Sequence, residues 1–230
     1  SLSGTQTFTG SVSELNSGTI AVAGNVITND TTLSGSPGTI LLFNGTGNQS
    51  LTASVSGAEV PTVNINKPSG TLTLVGDVSV DGNWAHATGN VDCGTGTLTF
   101  TGDSHKTIAA GTMAYGSVKI ANGEWSNITT TGTMNVNGTF TMQFINQLIG
   151  GTIACKGNIV TMDDKLYDDG TPSTIIQIDG TGNQTLSANG GYGCVPSVLI
   201  NKQSGTLTIT DTIGMYDDFT YTAGTVDASN

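Results

Sequence analysis

The sequence predicts an all-β chain wound as a parallel β-helix, a β-solenoid with coils of roughly 19–20 residues. Three observations predict it: a long internal duplication, stretches that alternate apolar residues with Thr, and glycine-rich corners at short intervals. Composition agrees. Of the 230 residues 33 are Gly, 36% are hydrophobic and only 10% are charged. That apolar content can bury a core, so disorder is excluded. Thr, Val and Ile suit strands, whereas the helix formers Glu and Lys are scarce and Arg is absent.

The duplication covers nearly the whole chain. Residues 43–92 align without a gap on residues 178–227, shifted by 135 positions. Ile65-Asn-Lys67 falls on Ile200-Asn-Lys202, Ser69-Gly-Thr-Leu-Thr73 on Ser204-Gly-Thr-Leu-Thr208, and Trp84 on Phe219. The likeness runs back to Gly18-Thr-Ile-Ala-Val22 and Gly151-Thr-Ile-Ala-Cys155, so 18–92 matches 151–227. Between them, about 93–150, lies a weaker copy with Lys119-Ile-Ala-Asn122 in place of the Ile-Asn-Lys signature. The reading is therefore one repetitive domain spanning 1–230. From Phe43 to Phe100 is 57 residues and from Phe100 to Ile178 is 78, a difference of 21. Only a one-dimensional stack absorbs such a unit without disturbing its neighbours.

Within the units Thr71-Leu-Thr-Leu74, Thr97-Leu-Thr-Phe100 and Thr206-Leu-Thr-Ile209 alternate at period two, the pattern of strands with one buried face. Gly-Thr and Gly-Asn pairs punctuate them, as sharp corners require. A second reading competes. Asp81-Gly82, Asn122-Gly123, Asn137-Gly138 and Asn189-Gly190 are strong two-residue hairpin signals, and would build tandem antiparallel β-sandwich modules instead.

Charge narrows the partners. With a net charge of −11 and no Arg, the chain is poorly suited to nucleic acid or an anionic membrane. No apolar run is long enough for a membrane helix. The chain opens at Ser1 without Met or a signal peptide, as a processed protein or an excised fragment would. Cys93, Cys155 and Cys194 lie far apart with no metal-ligand spacing. They read either as packed thiols or as candidates for a disulfide or an intermolecular bridge.

The recurring phrase, Gly45-Thr-Gly-Asn-Gln-Ser-Leu51 and Gly180-Thr-Gly-Asn-Gln-Thr-Leu186 followed by Ile-Asn-Lys and Ser-Gly-Thr-Leu-Thr, resembles the β-helical repeats of prokaryotic cell-surface and adhesin-like proteins. The resemblance covers most of the chain from residue 18. It implies an extracellular, non-catalytic role at the cell surface, in a filament, sheath, surface layer or adhesin stalk. The central copy departs from the phrase, carrying Gly102-Asp-Ser-His-Lys106.

Candidate chemistry is sparse. Parallel β-helices also house polysaccharide-degrading enzymes, but the basic groups a lyase uses are few here. The acidic runs Asp163-Asp164 and Asp168-Asp169, echoed by Asp217-Asp218, supply oxygen ligands suited to calcium; the alternative is plain solvated Asp, and no other cofactor is expected. His86 and His105 stand alone and read as packing or surface residues. Six Asn-x-Ser/Thr sequons occur, about the number chance provides. Trp84, Trp125, Phe140 and Phe219 are candidates to line a glycan groove, which would make the chain a binding module. Both termini look strand-like and uncapped, which predicts either copies of the chain as partners, through head-to-tail or lateral assembly, or excision from a longer array.

Overall fold

A computed structural model describes residues 1–9, 17–31, 38–123, 125–162, 166 and 173–228. Among them there is no helix, and parallel sheets form a β-solenoid of about 9 turns. Every named strand pair is parallel; the sole antiparallel contact among the described residues is the isolated bridge Ile149–Ser173. The antiparallel sandwich reading is thereby set aside.

Each turn crosses three strand faces. One turn runs through the strand Thr39–Phe43 on a first face, Gln49–Ala53 on a second and Glu59–Val60 on a third. The next turn lays Thr62–Val75 over the first two as one bent strand, then Val78–Val80 over the third. Inward residues stack coil upon coil, as in the column Val60, Val80, Phe100, Ile120 and Met142, all buried. Outward positions between them carry Ser79, Thr99, Lys119 and Thr141. The core is therefore a string of short apolar layers, each closed by the turns above and below it.

Stacked partners lie 19 residues apart at Phe140 and Ile159, 20 at Leu98 and Val118, and 27 at Ile159 and Leu186. The expected 19–20 is thus the lower end of the range, and the cause is geometric. The three copies of the phrase do not sit on one corner of the solenoid. The first turns from the first face to the second, the central copy from the third to the first, and the last from the second to the third. The spacings of 57 and 78 residues therefore include fractions of a turn, and only their difference, 21, measures a whole coil.

Asp81-Gly82 and Asn137-Gly138 are corners where Gly serves for closeness, whereas at Asn189-Gly190 both residues take positive φ, 54° and 87°. A Cβ at Gly82 would stand 2.5 Å from the Thr62 backbone nitrogen, and one at Gly138 would stand 2.9 Å from that of Ser117. The coil beneath leaves no room for a side chain.

Candidate functional site

The duplicated phrase builds an interior column at a corner. Gln49 opens a strand and points inward, with its Nε2 donating to the carbonyls of Val22 (3.0 Å) and Gly24 (2.6 Å) in the coil below. Its Oε1 accepts from Gly45 N (3.1 Å) and from Lys67 Nζ (2.6 Å) in the coil above. Lys67 donates further to the carbonyls of Gly45 and Gly47, each at 2.9 Å. All three ammonium hydrogens are placed, which lets a charged group lie 1% exposed. Burial nevertheless pushes Lys67 below the ordinary lysine range.

The second copy repeats the lysine bonds and both glutamine Nε2 bonds. Lys202 Nζ donates to Gly180 O (2.6 Å), Gly182 O (2.9 Å) and Gln184 Oε1 (2.6 Å). Gln184 Nε2 reaches Cys155 O (3.0 Å) and Gly157 O (2.6 Å). On the outside, Asn48 and Asn183 accept from Thr71 N (3.1 Å) and Thr206 N (3.0 Å), and Ser69 and Ser204 donate to Thr46 O and Thr181 O, both at 2.7 Å. These columns join three consecutive coils, and sequence reasoning missed them. The signal was present: a lysine kept in register at both ends of a duplication within a chain that has only 6.

The central copy rearranges the same column. Lys106 takes the place of the glutamine and Asn122 that of the lysine, so the charge moves down one coil. Asn122 Nδ2 still donates to Ser104 O (3.1 Å), and His105 Nδ1 accepts from Asn127 N (3.0 Å) as the asparagines do elsewhere. Lys106 donates only to Ser104, through O (3.3 Å) and Oγ (3.1 Å). Burial lowers it, while Asp81, Asp103 and Glu59 pull it back up. Burial raises Glu59, helped by Asp81 and Asp30 and opposed by Lys106. Burial also raises Asp81, where Lys106 opposes and Asp103 adds to the effect. The result is a row of like charges on successive coils around one cation.

The remaining candidates are dispersed. Asp217 and Asp218 lie exposed in the turn before the last strand, while Asp163, Asp164, Asp168 and Asp169 fall outside the described residues. Among the described residues no three Asp, Glu, His or Cys side chains converge to hold a metal. Cys93, Cys155 and Cys194 are buried and not disulfide-bonded, and burial pushes the Cys93 and Cys155 thiols up. His86 is buried with Nε2 on Gly89 O at 2.9 Å. Of the four aromatic candidates for a groove, Trp84 and Phe140 are wholly buried, so the structure removes both. Trp84 Nε1 donates to Tyr115 Oη (2.9 Å), which donates on to Ala110 O (3.1 Å), and its ring meets Phe100 edge to face at 6.2 Å. Trp125 is 88% exposed and Phe219 51%.

The two end coils differ from all others. The last strand, Phe219–Asp227, pairs with Ser197–Ile209 along one edge and with no described strand along the other. Phe219, Tyr221 and Val226 are exposed there, although their register partners Val198, Ile200 and Leu207 are buried. At the other end Gln6–Phe8 pairs, among the described strands, with Val26–Thr28 alone, and Leu2 is exposed beside Val22. Comparison with protein-family models, with curated proteins and with solved structures finds no match.

Proposed function

We propose that this chain is a non-enzymatic structural protein, a β-solenoid unit that associates end to end with copies of itself in an extracellular, cell-surface filament, sheath, surface layer or adhesin stalk. The exposed face of the last described coil carries the reading, since a further coil, from another copy or from more of the same polypeptide, would bury it. Phe219, Tyr221 and Val226 present apolar side chains beside an unpaired parallel strand edge, the surface that every interior coil buries under its successor. Such an edge templates another coil, and contacts of unlike ends propagate into fibres unless they close. The buried lysine columns support the same reading, because they bolt coils along the axis, the direction in which a fibre bears load.

The test is sedimentation velocity and negative-stain microscopy of the chain over a range of concentrations, with Tyr221→Lys as comparison. Tyr221 is exposed, so the variant should fold normally. The reading expects axial association that grows with concentration and is suppressed in the variant. A chain that stays monomeric at high concentration, or associates equally well as Tyr221→Lys, would overturn it.

A further inference from the structure

The corner where the central copy departs from the phrase is also a groove. Gly102 and Asp103 form one wall, Asn122 and Gly123 the floor of the next coil, and Trp125 and Phe144 the aromatic side. Asn122 pairs in register with Gly102, and Gln143 N donates to Ile120 O (2.8 Å), which sets Phe144 on the coil beyond. The groove therefore crosses three successive coils, about 10 Å along the axis.

Three features set it apart from the rest of the surface. Trp125 holds its ring 88% exposed and Phe144 51%, on neighbouring coils. Phe144 has φ 53°, a strained conformation for an aromatic residue, and such strain gathers at binding sites. Finally, the floor is kept bare: a Cβ at Gly123 would collide with the Asp103 carboxylate.

We infer that this groove binds a short neutral oligosaccharide. Exposed aromatic faces take the C–H faces of sugar rings, and the exposed Asp103 carboxylate accepts from ring hydroxyls. Asp103 and the −11 net charge repel uronate or sulfated sugars, and no described basic side chain lines the groove to hold them. Two coil spacings match the length of about two hexose units.

The experiment is calorimetric titration of the 230-residue chain with maltotriose, cellotriose and chitotriose in turn. At least one should bind saturably, with affinity reduced about tenfold or more in Trp125→Ala and in Phe144→Ala. Both side chains are exposed, so circular dichroism should show the fold unchanged, and Phe219→Ala, an exposed aromatic at the far end, should bind as the parent does. Failure of all three sugars to bind, or undiminished binding by Trp125→Ala, would overturn the inference. Neither result depends on whether the chain assembles end to end.

Discussion

The strands Trp84–Asp92 and Phe219–Asp227 occupy the same place in the duplication and have opposite fates. Each lies in parallel register on a bent strand, shifts register at the same corner, and passes a glycine over a buried lysine. A Cβ at Gly89 would stand 2.7 Å from Lys67 Cβ, and one at Gly224 would stand 2.8 Å from Lys202 Cβ. Yet Trp84 is 0% exposed and Phe219 is 51% exposed. The difference lies in what comes next along the axis: Lys106–Ala109 covers the first strand, and no described strand covers the second. Backbone path and register come from the coil below, whereas burial comes from the coil above. That division is the signature of a one-dimensional stack.

The largest effect that could break this comparison is in the aromatic pair. Trp84→Ala should cost about 3–5 kcal/mol, since it empties a buried site and strips Tyr115 of its donor, while Phe219→Ala should cost under about 1 kcal/mol. Chemical denaturation of the two variants measures both. Equal losses would mean that the end coil is packed like the interior.

The lysine columns should behave in the opposite way. Both are built from coils that are covered, so Lys67→Met and Lys202→Met should each cost about 2–3 kcal/mol, and by similar amounts. Methionine keeps the apolar stem and removes only the ammonium, leaving two glycine carbonyls and a glutamine oxygen without their donor. A much smaller loss at either site would show that water replaces the ammonium there.

A smaller effect distinguishes the central copy. Glu59 and Asp81 hold their protons more tightly in the fold than in the open chain. The stability linked to them is thus full below the ordinary carboxylate range and is lost as pH rises through their raised values. The melting temperature should therefore rise modestly as pH falls from neutral toward the ordinary carboxylate range. The double variant Glu59→Gln, Asp81→Asn should flatten that dependence, which thermal melts across the range will show.

The solenoid was legible because its two signals, period-two alternation and ungapped duplication, can both be read directly along the chain without knowing which coils touch. Coil length was less so. Phe43, Phe100 and Ile178 look equivalent in sequence but stand on different faces, and only three-dimensional stacking reveals the fraction of a turn between them. The hairpin signals misled because Gly82 and Gly138 answer to the backbone of a neighbouring coil about 20 residues away, not to their own φ. The charged column was hidden for a similar reason. Nothing near Lys67 in the chain marks it as buried, since its acceptors Gly45, Gly47 and Gln49 belong to the coil below. Trp125 differs from Trp84 only in what its coil packs against, which composition does not record.

The central claim is that a coil is buried by its neighbour along the axis, and that the last described coil is exposed because no described strand covers it. Hydrogen exchange resolved by peptide, measured as protein concentration is raised, tests it most directly. The account predicts strong, concentration-independent protection across 84–92, and weak protection across 219–227 that rises as the chains associate. Protection of 219–227 equal to that of 84–92 in the dilute monomer, or no gain while polymers form, would contradict it.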